Sequence, residues 1–270
     1  MLQSSRMSLQ QTAESVETRI AAEPASAREL GTDLLSIVSV LAGDVSLRKA
    51  LADASNDAEG KRALVEGLFT GQVAAGAVAV VAEAAGRRWV RPQDFVTAVE
   101  SAGVTAIAAA AQSESRLGRV EEELFRFART VEAEHELGWA LASPAPADSK
   151  RALVADLLGS KAAEETVLLA QQAVAHPRGV RASEALGRYG EILAARQNRS
   201  VAEVTVAQPL SAAQQERLAG VLSRTYGREL QLNLIVDPDV VGGVRVQVGD
   251  EVVSGTIADR LADVRRRLAG

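Results

Sequence analysis

Two histidines, His135 and His176, carry all the imidazole chemistry available, and there is no cysteine. A pair of histidines with nearby carboxylates can hold zinc. The expected spacings, His-x-x-x-His or His-Glu-x-x-His, are absent, so no metal ligand is expected. Without cysteine there is no thiolate nucleophile, disulfide frame or thiolate-bound zinc. Gly159-Ser160-Lys161 resembles the end of a phosphate-binding loop. Val154 stands where the earlier glycine belongs, and Ala162 where a Ser or Thr would meet magnesium. Gly242-Gly243 leads into another strand pattern, without the helix that holds a pyrophosphate, and reads as a turn. No catalytic residue and no cofactor are expected.

Other conspicuous side chains have plainer readings. Glu121-Glu122-Glu123 lies between Val120 and Leu124 of an apolar stripe and reads as a solvated helix face. Arg87-Arg88 and Arg265-Arg266-Arg267 read as helix-end charges, which complement the helix dipole. Trp89 and Trp139 remain open between two roles: interface anchors, or caps on helix-bundle cores.

The elements that position these residues are mostly helical. The 270-residue chain is 47% hydrophobic but only 3% aromatic. A core rich in Ala and Leu favours close helix packing over a β-sandwich. The net charge is −5, with no basic excess for nucleic acid to exploit. Only four basic residues are lysine (Lys49, Lys61, Lys150 and Lys161), a bias ascribed to a GC-rich genome. The longest greasy stretch, Gly71 to Ala82, is too short to span a bilayer, which takes ~18 residues or more. No hydrophobic leader follows Met1, so a cytoplasmic protein without membrane insertion is expected.

An internal repeat organises the first two hundred residues. Lys61-Arg62-Ala63-Leu64-Val65-Glu66-Gly67-Leu68 recurs as Lys150-Arg151-Ala152-Leu153-Val154-Ala155-Asp156-Leu157. Upstream, Leu47–Ala52 matches Leu137–Ala142, and Leu30, Leu34 and Leu41 fall opposite Val120, Leu124 and Val131. Three blocks in one order predict a duplicated helical unit of about 90 residues, too long for a short solenoid repeat. The apolar stripe Leu30, Leu34, Ile37, Val38 and Leu41 predicts a half-buried helix, and Val120, Leu124, Phe127 and Val131 another. Asp57 and Asp148 are expected as N-caps of the repeated helix, with Gly71 and Gly159 marking its ends.

Near residue 200 the period changes from helical to alternating. Val204 and Val206 predict a strand. Ser211 and Gln214 predict a capping box opening a helix to about Tyr226, with Gly227 beyond its end. Leu230–Val236 and Val244–Val248 predict two more strands, with a turn at Asp237-Pro238-Asp239. Gly249-Asp250 closes a hairpin onto Val252-Val253, and a helix capped by Thr256 follows. The expected fold class is mainly α: a duplicated N-terminal helical bundle followed by a small C-terminal α/β domain. The expected divisions are an extra bundle copy at 1–95, a second bundle at 96–200 and the α/β domain at 201–270.

The C-terminal run carries a specific pattern. Asp237, Pro238, Gly242, Gly243, Gly249, Asp250, Gly255 and Arg260 fall where the delta subunits of F-type ATP synthases place them. From about residue 96 onward the chain resembles that family, relatives of the oligomycin-sensitivity-conferring protein. Residues 1–95 are extra relative to its common form. The resemblance implies a non-catalytic stator link in the peripheral stalk, resisting rotor torque during ATP synthesis and proton transport. It implies that the helical bundle binds the N-terminal segment of an alpha subunit. It further implies that the C-terminal domain holds the C-terminus of the b subunit. The place implied is the cytoplasmic face of the cell membrane, peripheral, within the complex. The competing reading is a helical adaptor of another complex; a small-molecule enzyme lacks the residues.

Overall fold

The structure is a computed structural model that describes residues 3–177, 179–199, 201–226, 230–237, 244–248 and 251–254. The chain divides into two compact units, residues 1–194 and 195–270. Each is described by itself.

Eleven α-helices build the helical part among the described residues, the last continuing past residue 194: α1 (Gln3–Ala22), α2 (Ala27–Gly43), α3 (Val45–Ala52), α4 (Ala58–Phe69), α5 (Ala75–Ala85), α6 (Pro92–Ser113), α7 (Leu117–Ala133), α8 (His135–Ala142), α9 (Ala147–Leu158), α10 (Glu164–Ala175) and α11 (Ala182–Arg199). Helices α2 and α7 are both 17 residues long, and each begins 90 residues from its counterpart. Helices α3 and α8 match likewise at eight residues, and α4 and α9 match at twelve with the offset one residue smaller. The buried positions follow the same offset. Leu30, Leu34, Ile37 and Leu41 correspond to Val120, Leu124, Phe127 and Val131, all buried. Lys61 and Lys150, the repeated lysines, are both buried as well, and Lys61 Nζ donates to the Asp53 carbonyl at 3.1 Å.

The repeat extends to a feature no periodicity displays. Helix α5 begins after Ala74 and α10 after Ala163, neither of which has a side chain able to cap. In the first copy Asp33 of α2 accepts from the Ala74 N–H at 2.7 Å. In the second, Glu123 of α7 accepts from the Ala163 N–H at 2.8 Å. A helix's first N–H groups need acceptors. Here another helix supplies one, in the same way twice.

Helix α6 takes part in both copies. Phe95, Val96, Val99, Ala102 and Ala106 join the core formed with α1 to α5. Val104, Ile107, Ala108 and Ala111 join the core formed with α7 to α11. Its 22 residues have the length and apolar content of a membrane span, beyond what the short Gly71–Ala82 stretch suggested. Most of them are buried inside the protein, including Asp94 and Glu100, so it is here a core helix. The expected division at 95/96 falls within it. Helices α2 and α6 cross closely because glycines meet there. A Cβ on Gly31 would stand 2.7 Å from Ile107 Cδ1, and one on Gly103 would stand 2.9 Å from Leu35 Cγ.

Asp57 caps α4 as expected, accepting from the Gly60 N–H at 2.9 Å. Asp148 does not cap α9. The helix starts one residue earlier, after Pro146, and Asp148 in its first turn pairs with Arg151 at 2.9 Å. Gly71 and Gly159 both take positive φ, +80° and +40°, where a side chain would be strained.

In the second unit, among the described residues, β1 (Val201–Val206), α12 (Ala212–Tyr226), β2 (Gln231–Val236), β3 (Val244–Val248) and β4 (Glu251–Ser254) form a four-stranded sheet of order β2-β1-β3-β4 with one helix. Strands β1 and β2 run parallel, and the other neighbours antiparallel. Ala202, Val204, Val206, Val246 and Val248 pack with Leu222 of α12. The capping box forms both ways: Gln214 N–H donates to Ser211 Oγ at 3.3 Å, and Ser211 N–H to Gln214 Oε1 at 2.8 Å. The expected C-terminal helix, its Thr256 cap and Gly227 lie outside the described residues.

Candidate interaction surfaces

The residues first suspected of chemistry do not converge. His135 is exposed at the start of α8, and His176 ends α10, with its Nε2 3.3 Å from Arg151 Nη2. Among the described residues no three His, Asp or Glu side chains form a metal-binding group. Gly159-Ser160-Lys161 is a short 3-10 turn between α9 and α10. Gly242-Gly243 and Arg265–Arg267 lie outside the described residues.

The acidic run on α7 corrects one expectation. Glu123 is not solvated; besides the Ala163 N–H it accepts from Thr166 Oγ1 at 2.6 Å and from Arg119 Nε at 2.7 Å. Burial pushes its carboxyl up, but these hydrogen bonds outweigh burial and hold it below the usual range. The sequence signal was available: Asp33 sits at the same repeat position, and both are carboxylates.

Glu165 was not singled out from the sequence. It is fully buried at the start of α10. Arg28 of α2 and Arg116, between α6 and α7, both donate to its Oε1, the latter at 2.6 Å. Glu114 accepts from Arg28 as well, at 3.0 Å. Burial pushes the Glu165 carboxyl up, while the bonds from Arg116 and Arg28 hold it below the usual range. The group ties the first repeat to the second beside an open cleft of about 480 Å³. Arg151 makes another tie, donating to Ser39 Oγ at 3.0 Å. Around this cleft Arg28 and Arg116 are both paired with Glu114 and Glu165.

The surface is more informative than the clefts. Trp89 resolves as a core residue: its Nε1 donates to the Ala84 carbonyl at 2.8 Å, and its ring centroid lies 5.9 Å from that of Phe95. Trp139 is 77% exposed on α8. Phe125, Leu64, Leu68 and Leu157 are also exposed, as are Ile235 and Val236 on edge strand β2. Of the eight signature residues, Asp237 is described; its N–H donates to the Val206 carbonyl at 2.9 Å, where β1 and β2 end together. Pro238, Gly242, Gly243, Gly249, Asp250, Gly255 and Arg260 lie outside the described residues.

Comparison with known proteins identifies the family. The family model described as ATP synthase delta (OSCP) subunit covers residues 103–268. The chain belongs to the ATP synthase delta (OSCP) family. It is 43% identical to the ATP synthase subunit delta of Kineococcus radiotolerans, over 94% of this chain and 93% of the relative. It is 41% identical to that of Beutenbergia cavernae over the full length of both, and 44% identical to that of Streptomyces coelicolor over 90% and 89%. The family model begins inside α6, whereas these delta relatives align across the first repeat too.

Proposed function

We propose that this chain is the delta subunit of a proton-translocating F-type ATP synthase, working as the stator link of the peripheral stalk. The alignment with subunits of that name over whole chains carries this reading. The link is non-catalytic and peripheral, at the cytoplasmic face of the cell membrane within the complex. Its helical bundles, residues 1–95 and 96–200, bind the N-terminal segment of an alpha subunit. Residues 201–270, which carry the family signature Asp237, Pro238, Gly242, Gly243, Gly249, Asp250, Gly255 and Arg260, hold the C-terminus of the b subunit.

The physical requirement is a rigid adaptor. Proton flow turns a rotor, and the headpiece must not turn with it. An Ala- and Leu-rich bundle can seat an amphipathic helix between its own helices. Two modest contacts on one body reinforce each other through effective concentration. The test uses the full chain, tagged, with the synthase of its own organism. Alpha, beta, gamma and b subunits are expected to co-purify. Deleting the alpha N-terminal segment and the b C-terminus together should release the chain. Retention after both deletions would refute the assigned contacts, and failure to co-purify at all would refute the stator role.

A further inference from the structure

Trp139 has no role in the core of its repeat. It projects from α8 with 77% of its surface in water, and exposed Glu132, Glu134 and Glu136 precede it along the α7–α8 corner. The first repeat provides a comparison at the same corner. Helices α3 and α8 have equal length, and Leu51 and Leu141 fill the same buried position. Lys49 stands where Trp139 does, and Ala42, Asp44 and Ser46 where the three glutamates do. Asp44 caps α3, accepting from the Ser46 and Leu47 N–H groups at 2.8 and 2.9 Å. Glu134 makes no capping bond to α8. The corner therefore forms without the tryptophan and with a single carboxylate, which is used for capping.

The charge also reverses. The first corner carries Arg48 and Lys49 against Asp44. The second carries three carboxylates against Arg129, whose Nη1 lies 3.7 Å from Glu132 Oε2, with His135 exposed beside them. An exposed indole with Glu136 three residues before it on the same helix, and with Glu134 and Glu132 just upstream at the corner, suits a cation that stacks on its face while hydrogen-bonding to a carboxylate. Tryptophan and arginine are also the side chains that most often dominate protein interfaces.

We infer that the α7–α8 corner docks a basic segment of a partner protein, with an arginine or lysine stacked on Trp139 and held by Glu132, Glu134 and Glu136. The inference does not depend on the stator reading. The probe is a capped synthetic peptide with arginine at every third or fourth position, compared with a twin bearing glutamate instead. Binding to the full chain is followed by anisotropy of the labelled peptide and by acrylamide quenching of tryptophan. The arginine peptide should bind and shield Trp139, and the glutamate twin should not. Trp139→Ala, and separately the triple change Glu132→Gln, Glu134→Gln and Glu136→Gln, should each weaken binding about tenfold or more. Lys49→Ala should leave it unchanged, and none of these exposed positions should move the melting temperature. Equal binding of both peptides, or undiminished binding by Trp139→Ala, would overturn the inference. The same variants are then added to a synthase stripped of this subunit. If the wild-type chain fails to rebind while the arginine peptide still needs Trp139, the stator reading fails and the corner stands. If the chain rebinds but the peptide ignores Trp139, the reverse holds.

Discussion

Glu165 and its arginines set the residue scale. A carboxylate with no exposure persists only because two guanidiniums answer it. Its folded-state pKa lies below the ordinary value, so it contributes stability above the unfolded-state value of about 4.3. That contribution is lost as pH falls through the lower folded-state value. Glu123, shifted the same way, adds to the same acid limb. Glu165→Gln should cost about 2–3 kcal/mol at neutral pH, toward the low end for a broken buried pair because both arginines are partly exposed. Urea melts of wild type and variant should converge as the pH drops below about 4. A gap that stays constant from pH 7 to 3 would refute the assignment. None of this was legible beforehand, since Arg28 and Glu165 are far apart in sequence and only the tertiary fold joins them.

At the scale of elements, the matched caps and the glycine crossing make quantitative expectations. Asp33→Ala and Glu123→Ala remove equivalent acceptors from the starts of α5 and α10. Each should cost about 1 kcal/mol, with Glu123→Ala the larger because it also releases Thr166. Denaturant midpoints of the two variants measure this. Gly31→Ala would drive a methyl against both the side chain and the backbone nitrogen of Ile107. The overpacking should exceed the ~1 kcal/mol that alanine gains over glycine in a helix, leaving a net loss of about 1–2 kcal/mol. Ile107→Val should offset part of that loss, and a double-mutant cycle reads the coupling. Helices with strong apolar stripes, such as α2 and α7, were readable from periodicity. Helix α1 was not, because its buried face begins with Ser5, Ser8 and Thr12. Those hydroxyls bond to Asp94, to the Arg88 carbonyl and to the Ser8 carbonyl, partners that sequence periodicity does not register. Asp148 was misread because the first turn of a helix and its cap both favour aspartate.

At the scale of the molecule, the helical part should behave as one cooperative body. The blocks Lys61–Leu68 and Lys150–Leu157 made the duplication legible. They left open how the copies join, since an Ala-rich helix buried on all sides has no single stripe to assign. A fragment of residues 1–90 lacks α6 and should not fold; one of residues 1–115 includes it and should. Circular dichroism and urea titration distinguish these outcomes. In the full chain, buried Trp89 in the first repeat and the far-ultraviolet signal of all helices should give coincident unfolding curves. Separate transitions would show the copies to be independent.

The double membership of α6 bears on mechanics. Twenty-two residues of helix make a strut about 33 Å long, running through both bundles. Two bundles strung on a loop would flex at the loop under load, and energy stored in that flexing would be returned late or dissipated. Two bundles grown around one strut have no such joint. Twist applied at one end must strain hydrogen bonds and packed side chains, which yield little, so lengthening the link in this way adds reach without adding slack.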